Sequence, residues 1–133
     1  MYELEASVAV PATTLYTIIM PLADNHRRPI EPDQLAWAQN QIMNYAGGLT
    51  RFPQGQGLWV DQQAKVYADP IVLLQTIAPS TSAVRDWFVG FTAQMAERFS
   101  QHEIFLYTQP VWMSGSVPID GDGLAQMPLF SRN

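Results

Sequence analysis

Residues 47–79 (GGLTRFPQGQGLWVDQQAKVYADPIVLLQTIAP) constrain the fold more than any other stretch of this 133-residue chain. A glycine pair opens the stretch, and the residues between its punctuation marks are largely β-branched or aromatic. Such residues favour extended backbone, and two extended runs joined by a short polar turn make a hairpin. Residues 49–52 read as the start of one strand, 51–57 (RFPQGQG) as a Gly/Pro loop that interrupts it, and Leu58-Trp59-Val60 as its resumption. Asp61-Gln62-Gln63 supplies the turn, and residues 65–68 pair back across it. Asp69-Pro70 predicts a break or bulge before the apolar strand at 71–77. Both faces of that strand are apolar, Ile71/Leu73/Ile77 on one and Val72/Leu74 on the other. The sheet that holds it is therefore expected to be covered on both sides.

Helical periodicity flanks this hairpin. In residues 31–46, Leu35, Ala38, Ile42, Tyr45 and Ala46 form one stripe. Pro32 suits the first helical position, Glu31 and Asp33 bring negative charge to the positive end of the dipole, and Gly47 suits a left-handed cap. Trp37 falls on the face opposite the stripe, which predicts a ring shielded by a loop or offered to a partner. Residues 80–101 give the second helix, with Ser80, Thr81 or Ser82 as N-cap and Val84, Phe88, Phe91, Met95 and Phe99 as its stripe. Trp87 sits at the stripe's edge and reads as core. Further strands are predicted at 14–22 and at 104–108, the second ending near Pro110, and His102 is placed to cap the helix before it.

Strand, helix, strand, strand, helix, strand is the order of an α+β chain. Two right-handed crossovers joined by a hairpin give a ferredoxin-like two-layer sandwich (β-α-β-β-α-β) with a four-stranded antiparallel sheet. The expected divisions are an N-terminal strand or lead-in at 1–13, the ferredoxin-like domain at 14–111 and a C-terminal arm at 112–133. The arm is too apolar for a free linker and is expected to lie on its own domain or on a neighbour. Both helices of such a sandwich cover the same sheet face. The other face, also apolar here, predicts a dimer or higher homo-oligomer stacked sheet to sheet, or cover by the tails. Only 14% of the residues are charged, which agrees with surface hidden by association.

Several segments together resemble a group of small prokaryotic proteins with a ferredoxin-like plan, over residues 14–111. They are Pro21-Leu22-Ala23-Asp24-Asn25, Gly47-Gly48-Leu49-Thr50, Gly57-Leu58-Trp59, Val66-Tyr67-Ala68-Asp69 and Arg98-Phe99-Ser100-Gln101-His102-Glu103-Ile104. The resemblance implies the fold and brings no activity with it.

Charge narrows the partners. The formal net charge is −5, Lys65 is the only lysine, and a phosphate backbone needs a clustered cationic face. That argues against nucleic acid as the main ligand and disfavours anionic membrane surfaces, so neither is an expected partner. No apolar run nears the ~20 residues of a membrane span, and MYELEASVAV lacks a signal-like basic and apolar pattern. A cytoplasmic protein is expected. With no cysteine there is neither disulfide nor thiolate chemistry.

No phosphate loop, dinucleotide fingerprint or nucleophile elbow is present, so no cofactor is expected. Asp24, Asp61 and Asp69 carry hard oxygens, but nothing in their spacing forces them together, so no metal is expected either. Asp120-Gly121-Asp122-Gly123 lacks the closing glutamate of a calcium loop and reads as a turn. No catalytic constellation stands out. Asp24, His26 and Asp69 are the weak candidates for handling a proton. Trp37, Phe52, Trp59, Tyr67 and Trp112 are the candidates for ligand or partner binding, because aromatic residues on loops and polar faces mark binding surfaces. The expected function is a small, self-associating, non-enzymatic module that binds a protein or a small ligand. The alternative is a cofactor-independent enzyme with a pocket between the sheet and the 51–57 loop.

Overall fold

A computed structural model describes residues 12–112. The strand or lead-in expected at the N-terminus, and the arm beyond Trp112, lie outside the described residues. The elements are β1 (Thr13–Pro21), α1 (Pro32–Ala46), β2 (Thr50–Val60), β3 (Val66–Pro79), α2 (Ser82–Arg98) and β4 (Phe105–Val111). The described residues form a four-stranded sheet in the order β2-β3-β1-β4, antiparallel at every step. Each helix thus links two strands that have a third between them, as the β-α-β-β-α-β order requires.

The helices begin and end where local chemistry tells them to. Pro32 opens α1, the Glu31 and Gln34 side chains close a reciprocal capping box, and Gly47 ends the helix in the left-handed region at φ 87°. Thr81 caps α2 by accepting a hydrogen bond from the Val84 peptide N–H at 3.2 Å. His102 lies beyond the end of this helix, whose C-cap is Phe99. The peptide N–H of Phe99, not an imidazole, satisfies the Met95 carbonyl.

Alternate residues of β1 and β3 face the helices and build the core. Tyr16, Ile18, Met20, Val72, Leu74 and Ala78 pack there against Ala38, Ile42, Phe88, Phe91 and Met95. Phe88 is fully buried and stacks on Tyr16, ring centroids 4.2 Å apart and 12° from parallel. Trp37 belongs to this layer. Its ring lies against Phe91 and Phe99 and beneath the Arg98 guanidinium, 4.0 Å away. The shield is α2 and not a loop: α1 has two neighbours, the sheet and the second helix, so its buried sector is wider than the sheet-facing stripe alone.

Two strand readings need correction. Residues 51–57 are not a loop between strands but part of one strand, with an irregularity in register between Phe52 and Gly55. Pro53 is tolerated because β2 is an edge strand, where a missing N–H breaks no ladder on the free side. Asp69-Pro70 likewise does not break β3. Pro70 lies just past the last β1–β3 pair, Pro21 with Ile71. Its carbonyl accepts from Leu22 N–H, while the Leu22 carbonyl that would want a donor there is taken by Ile30 N–H. The proline therefore leaves no acceptor unsatisfied.

The second sheet face carries Leu15, Ile19, Ile71, Leu73 and Ile77, all half-buried, with Phe52, Phe105 and Tyr107 exposed around them. Its centre holds one polar pair, in which the Gln75 amide donates to the Thr17 hydroxyl at 3.0 Å. Among the described residues neither helix reaches this face.

Candidate functional site

β1 stops at Pro21, but β3 begins at Val66, so residues 66–70 have no β1 partner. Loop 22–30 fills that space incompletely. It is a short antiparallel excursion closed by an Ala23–Pro29 bridge and tied to β3 through Leu22 N–H and the Pro70 carbonyl. Asn25 N–H donates to the Ser100 carbonyl, and the Gln101 amide donates to the Ala23 carbonyl, which anchor the loop to the α2–β4 connection. The gap left between loop and hairpin is a cleft of about 180 Å³, lined by Pro21, Ala23, Asp24, Asn25, Arg27, Trp59, Tyr67, Asp69 and Gln101.

Two identical turns frame it. In the first, Asp24 N–H and C=O bond to Arg28 C=O and Arg27 N–H, while Asp24 Oδ1 accepts from the His26 and Arg28 peptide N–H groups at 2.8 and 2.9 Å. In the second, Asp61 bonds in the same way to Lys65 and Ala64, and its Oδ1 accepts from Gln63 and Lys65 N–H at 2.8 and 2.9 Å. The fourth residue of each turn is left-handed, Arg27 at φ 63° and Ala64 at φ 65°. Each aspartate has one oxygen left, which it uses outward. Asp24 Oδ2 takes the Arg28 guanidinium at 2.8 Å, and Asp61 Oδ2 takes the Tyr67 hydroxyl at 3.1 Å.

These bonds set the charge states. Partial desolvation pushes the Asp24 carboxyl up, but the Arg28 and His26 peptide N–H groups and the Arg28 guanidinium together outweigh it, and its pKa falls below the ordinary value. The Lys65 peptide N–H is the largest influence on Asp61, which is lowered too, with help from Tyr67 and Gln63. Asp24 is thus an ionised, fully engaged structural group and a poor acceptor of a substrate proton.

The floor of the cleft is the β2–β3 hairpin. Trp59 faces Tyr67 across the ladder, and Gly57 faces Asp69. The Trp59 ring folds back over Gly57, where a Cβ would come within 3.2 Å of the indole. Tyr67 carries two cations over its ring, Lys65 Nζ at 5.2 Å and the Arg27 guanidinium at 5.7 Å. Asp69 is half-buried, and among the described residues its carboxylate has neither a hydrogen bond nor an ion pair.

Of the residues singled out by the sequence, Asp24, Asp69, Trp59 and Tyr67 come together in this cleft. His26 is exposed at the loop tip and does not line it. Trp37 is between the helices, Phe52 is on the open sheet face and Trp112 is exposed past β4. Arg27 and Gln101 are polar cleft residues that sequence reasoning missed, and Asn25, expected to stabilise its turn, lines the cleft as well. One signal pointed to Arg27: Asp24-Asn25-His26-Arg27-Arg28 and Asp61-Gln62-Gln63-Ala64-Lys65 share an aspartate and a cation at the same spacing, which marks the residue before the cation as the left-handed one. The pocket expected beside a 51–57 loop has no such loop to form it; the cleft stands beside loop 22–30 instead. No group of three His, Asp or Glu side chains suited to a metal ion occurs among the described residues.

The architecture recurs in solved structures. A phage SAM lyase in complex with S-methyl-5'-thioadenosine superposes with a TM-score of 0.60 at 11% identity, over 75% of this chain and 82% of that one. The divalent cation tolerance protein CutA1 from Thermus thermophilus gives 0.55 at 12% identity, over 77% and 86%. A Bacillus cereus protein related to NIF3 gives 0.51 at 16%, over 76% of this chain but 26% of that one. At such identities the likeness concerns fold alone. The chain is a small α+β protein with the ferredoxin-like plan of these neighbours. No family model and no curated protein matches it. No helix among the described residues is long and apolar enough to cross a membrane.

Proposed function

We propose that the protein is a self-associating, non-enzymatic ferredoxin-like module of the cytoplasm that holds a small ligand in the cleft between loop 22–30 and the β2–β3 hairpin. The observation that carries the reading is the sheet face that, among the described residues, neither helix covers. Phe52 and Phe105 are 47% and 56% exposed there, around a half-buried aliphatic centre, and the paired β1, β3 and β4 positions of that face bear no charge. A contiguous apolar surface of this kind is what a second copy covers in a face-to-face sheet interface. The domain is residues 14–111. Phe52 serves association, and Trp59, Tyr67 and Asp69 serve the ligand.

A catalytic reading has less to stand on. Asp24 is consumed by its own turn, His26 is not among the residues that line the cleft, and of the three candidates Asp69 remains for proton transfer. Sedimentation equilibrium tests the proposal directly. The wild-type protein is expected to be dimeric or larger at about 10 μM, and Phe105→Asp to be monomeric with unchanged circular dichroism. A wild type that stays monomeric throughout that range overturns it.

A further inference from the structure

We infer that the cleft is a nucleoside site: a flat heteroaromatic ring packs on Trp59 while the carboxylate of Asp69 accepts from a vicinal diol. The inference deepens the ligand-binding half of the reading above and rests on it. Three observations converge. First, Trp59 is 46% exposed in a strand and lines the cleft, its indole held against Gly57, where a Cβ would come within 3.2 Å of the ring. An indole face is sequence-tolerant toward any aromatic base and contributes most where the ring is already held in place. Second, Asp69 is half-buried, next to that ring, and has no partner among the described residues. A carboxylate with two free acceptor oxygens is the group that takes adjacent hydroxyls, as at a ribose. Third, Arg27 occupies a left-handed position that disfavours any non-glycine residue. From there its guanidinium reaches over Tyr67 and into the cleft lining. With the Asn25 amide beside it, Arg27 supplies donors for the ring nitrogens and carbonyls of a base.

The combination discriminates among ligand classes. A free sugar leaves the indole face bare, and a simple aromatic leaves Asp69 unpaired. An anionic polymer meets a chain of net charge −5. A nucleoside satisfies ring, donors and carboxylate at once.

The test is titration calorimetry of the full chain with adenosine, 2′,3′-dideoxyadenosine and caffeine, repeated on Asp69→Asn and Trp59→Ala. Both positions are off the helix-packed core, so each variant is first checked for wild-type circular dichroism. The expected result is saturable adenosine binding below about 1 mM, weakened roughly tenfold or more by loss of the diol. Asp69→Asn should lose that diol preference while binding dideoxyadenosine as the wild type does, and Trp59→Ala should weaken both. Caffeine bound as tightly as adenosine, or a diol preference that survives Asp69→Asn, overturns the nucleoside assignment. So does the absence of adenosine heat up to about 10 mM. The broader reading fails separately, when no member of a chemically mixed fragment set shifts the Trp59 indole N–H resonance.

Discussion

Replacing the left-handed residue of each aspartate turn by glycine separates backbone strain from side-chain use. Ala64 and Arg27 have the same φ within a few degrees, the same hydrogen bonds around them and the same exposed setting. A left-handed non-glycine residue costs about 1–2 kcal/mol, and glycine gives back about 0.5–1 kcal/mol of that through the greater freedom of its unfolded chain. Ala64→Gly is therefore expected to stabilise by roughly 0.5–1 kcal/mol. Arg27→Gly gains the same backbone term but loses the guanidinium over Tyr67, a contact of about 0.5–1 kcal/mol at an exposed site. Its net effect should be close to zero. Urea unfolding followed by far-UV circular dichroism reads both, with an unchanged m-value as the check that neither variant alters the unfolded ensemble. The reasoning is refuted when Ala64→Gly destabilises, which would deny the strain. It is refuted equally when Arg27→Gly gains as much as Ala64→Gly, which would deny the contact. Arg27→Gly should also weaken adenosine binding, whereas Ala64→Gly should not.

Phe88→Ala removes a fully buried ring that touches Tyr16, Tyr45 and Trp87, and should destabilise by about 3–5 kcal/mol in the same assay. Gly47→Ala forces a Cβ into the left-handed cap of α1 and should cost about 1 kcal/mol, readable as a lower urea midpoint. Acid should loosen the two turns together. The folded pKa values of Asp24 and Asp61 lie below their ordinary value of 3.8, so the stabilisation is whole above that value and is lost as pH falls through the folded ones. Asp24→Asn with Asp61→Asn should flatten the pH dependence of stability below about pH 4, as urea midpoints measured from pH 2 to 6 will tell.

What could be read from the chain was whatever depended on neighbours close in sequence. The α2 stripe from Phe88 to Phe99, the Thr81 cap, the Gly47 stop and the proline at the start of α1 each follow from a few adjacent residues, and each is where its chemistry puts it. The shield over Trp37 is not legible locally, because the face opposite the sheet-facing stripe is partly α2's and nothing near Trp37 says where α2 will lie. The local pattern predicts a break at Pro70, but a proline's missing N–H matters only if an acceptor waits for it. Here the waiting acceptor, Leu22 C=O, is satisfied by Ile30 N–H from a separate part of the chain. The cleft is the extreme case. Asp24, Trp59, Tyr67 and Asp69 were each legible as residues worth watching, but their meeting depends on β1 ending before β3 begins, a difference in strand length that no local pattern encodes.

That difference also decides how the two proposed activities relate. Pleating puts Tyr67, Asp69 and Ile71 on one side of β3 and Val72 and Leu74 on the other, under the helices. A Cβ at Gly55 or Gly57 would touch Ile71, and at Gly57 also Trp59, so the β2 residues of the cleft share that side. The cleft is therefore the end of the open apolar face and not a separate surface. In the proposed dimer, a second copy stacked on Leu73, Ile19 and Phe105 would extend toward the Trp59 wall, where a ligand on Trp59 would meet it. Linkage then requires reciprocity: with one site per protomer, if dimerisation tightens adenosine at each site by some factor, saturating adenosine tightens the dimer by the square of that factor. Phe105→Asp, by removing the dimer, should change adenosine affinity by the square root of the factor by which saturating adenosine changes the wild-type dimer constant. Equal adenosine affinity in monomer and dimer would show that the partner stops short of the cleft, and would confine the association surface to the β1–β4 half of the sheet.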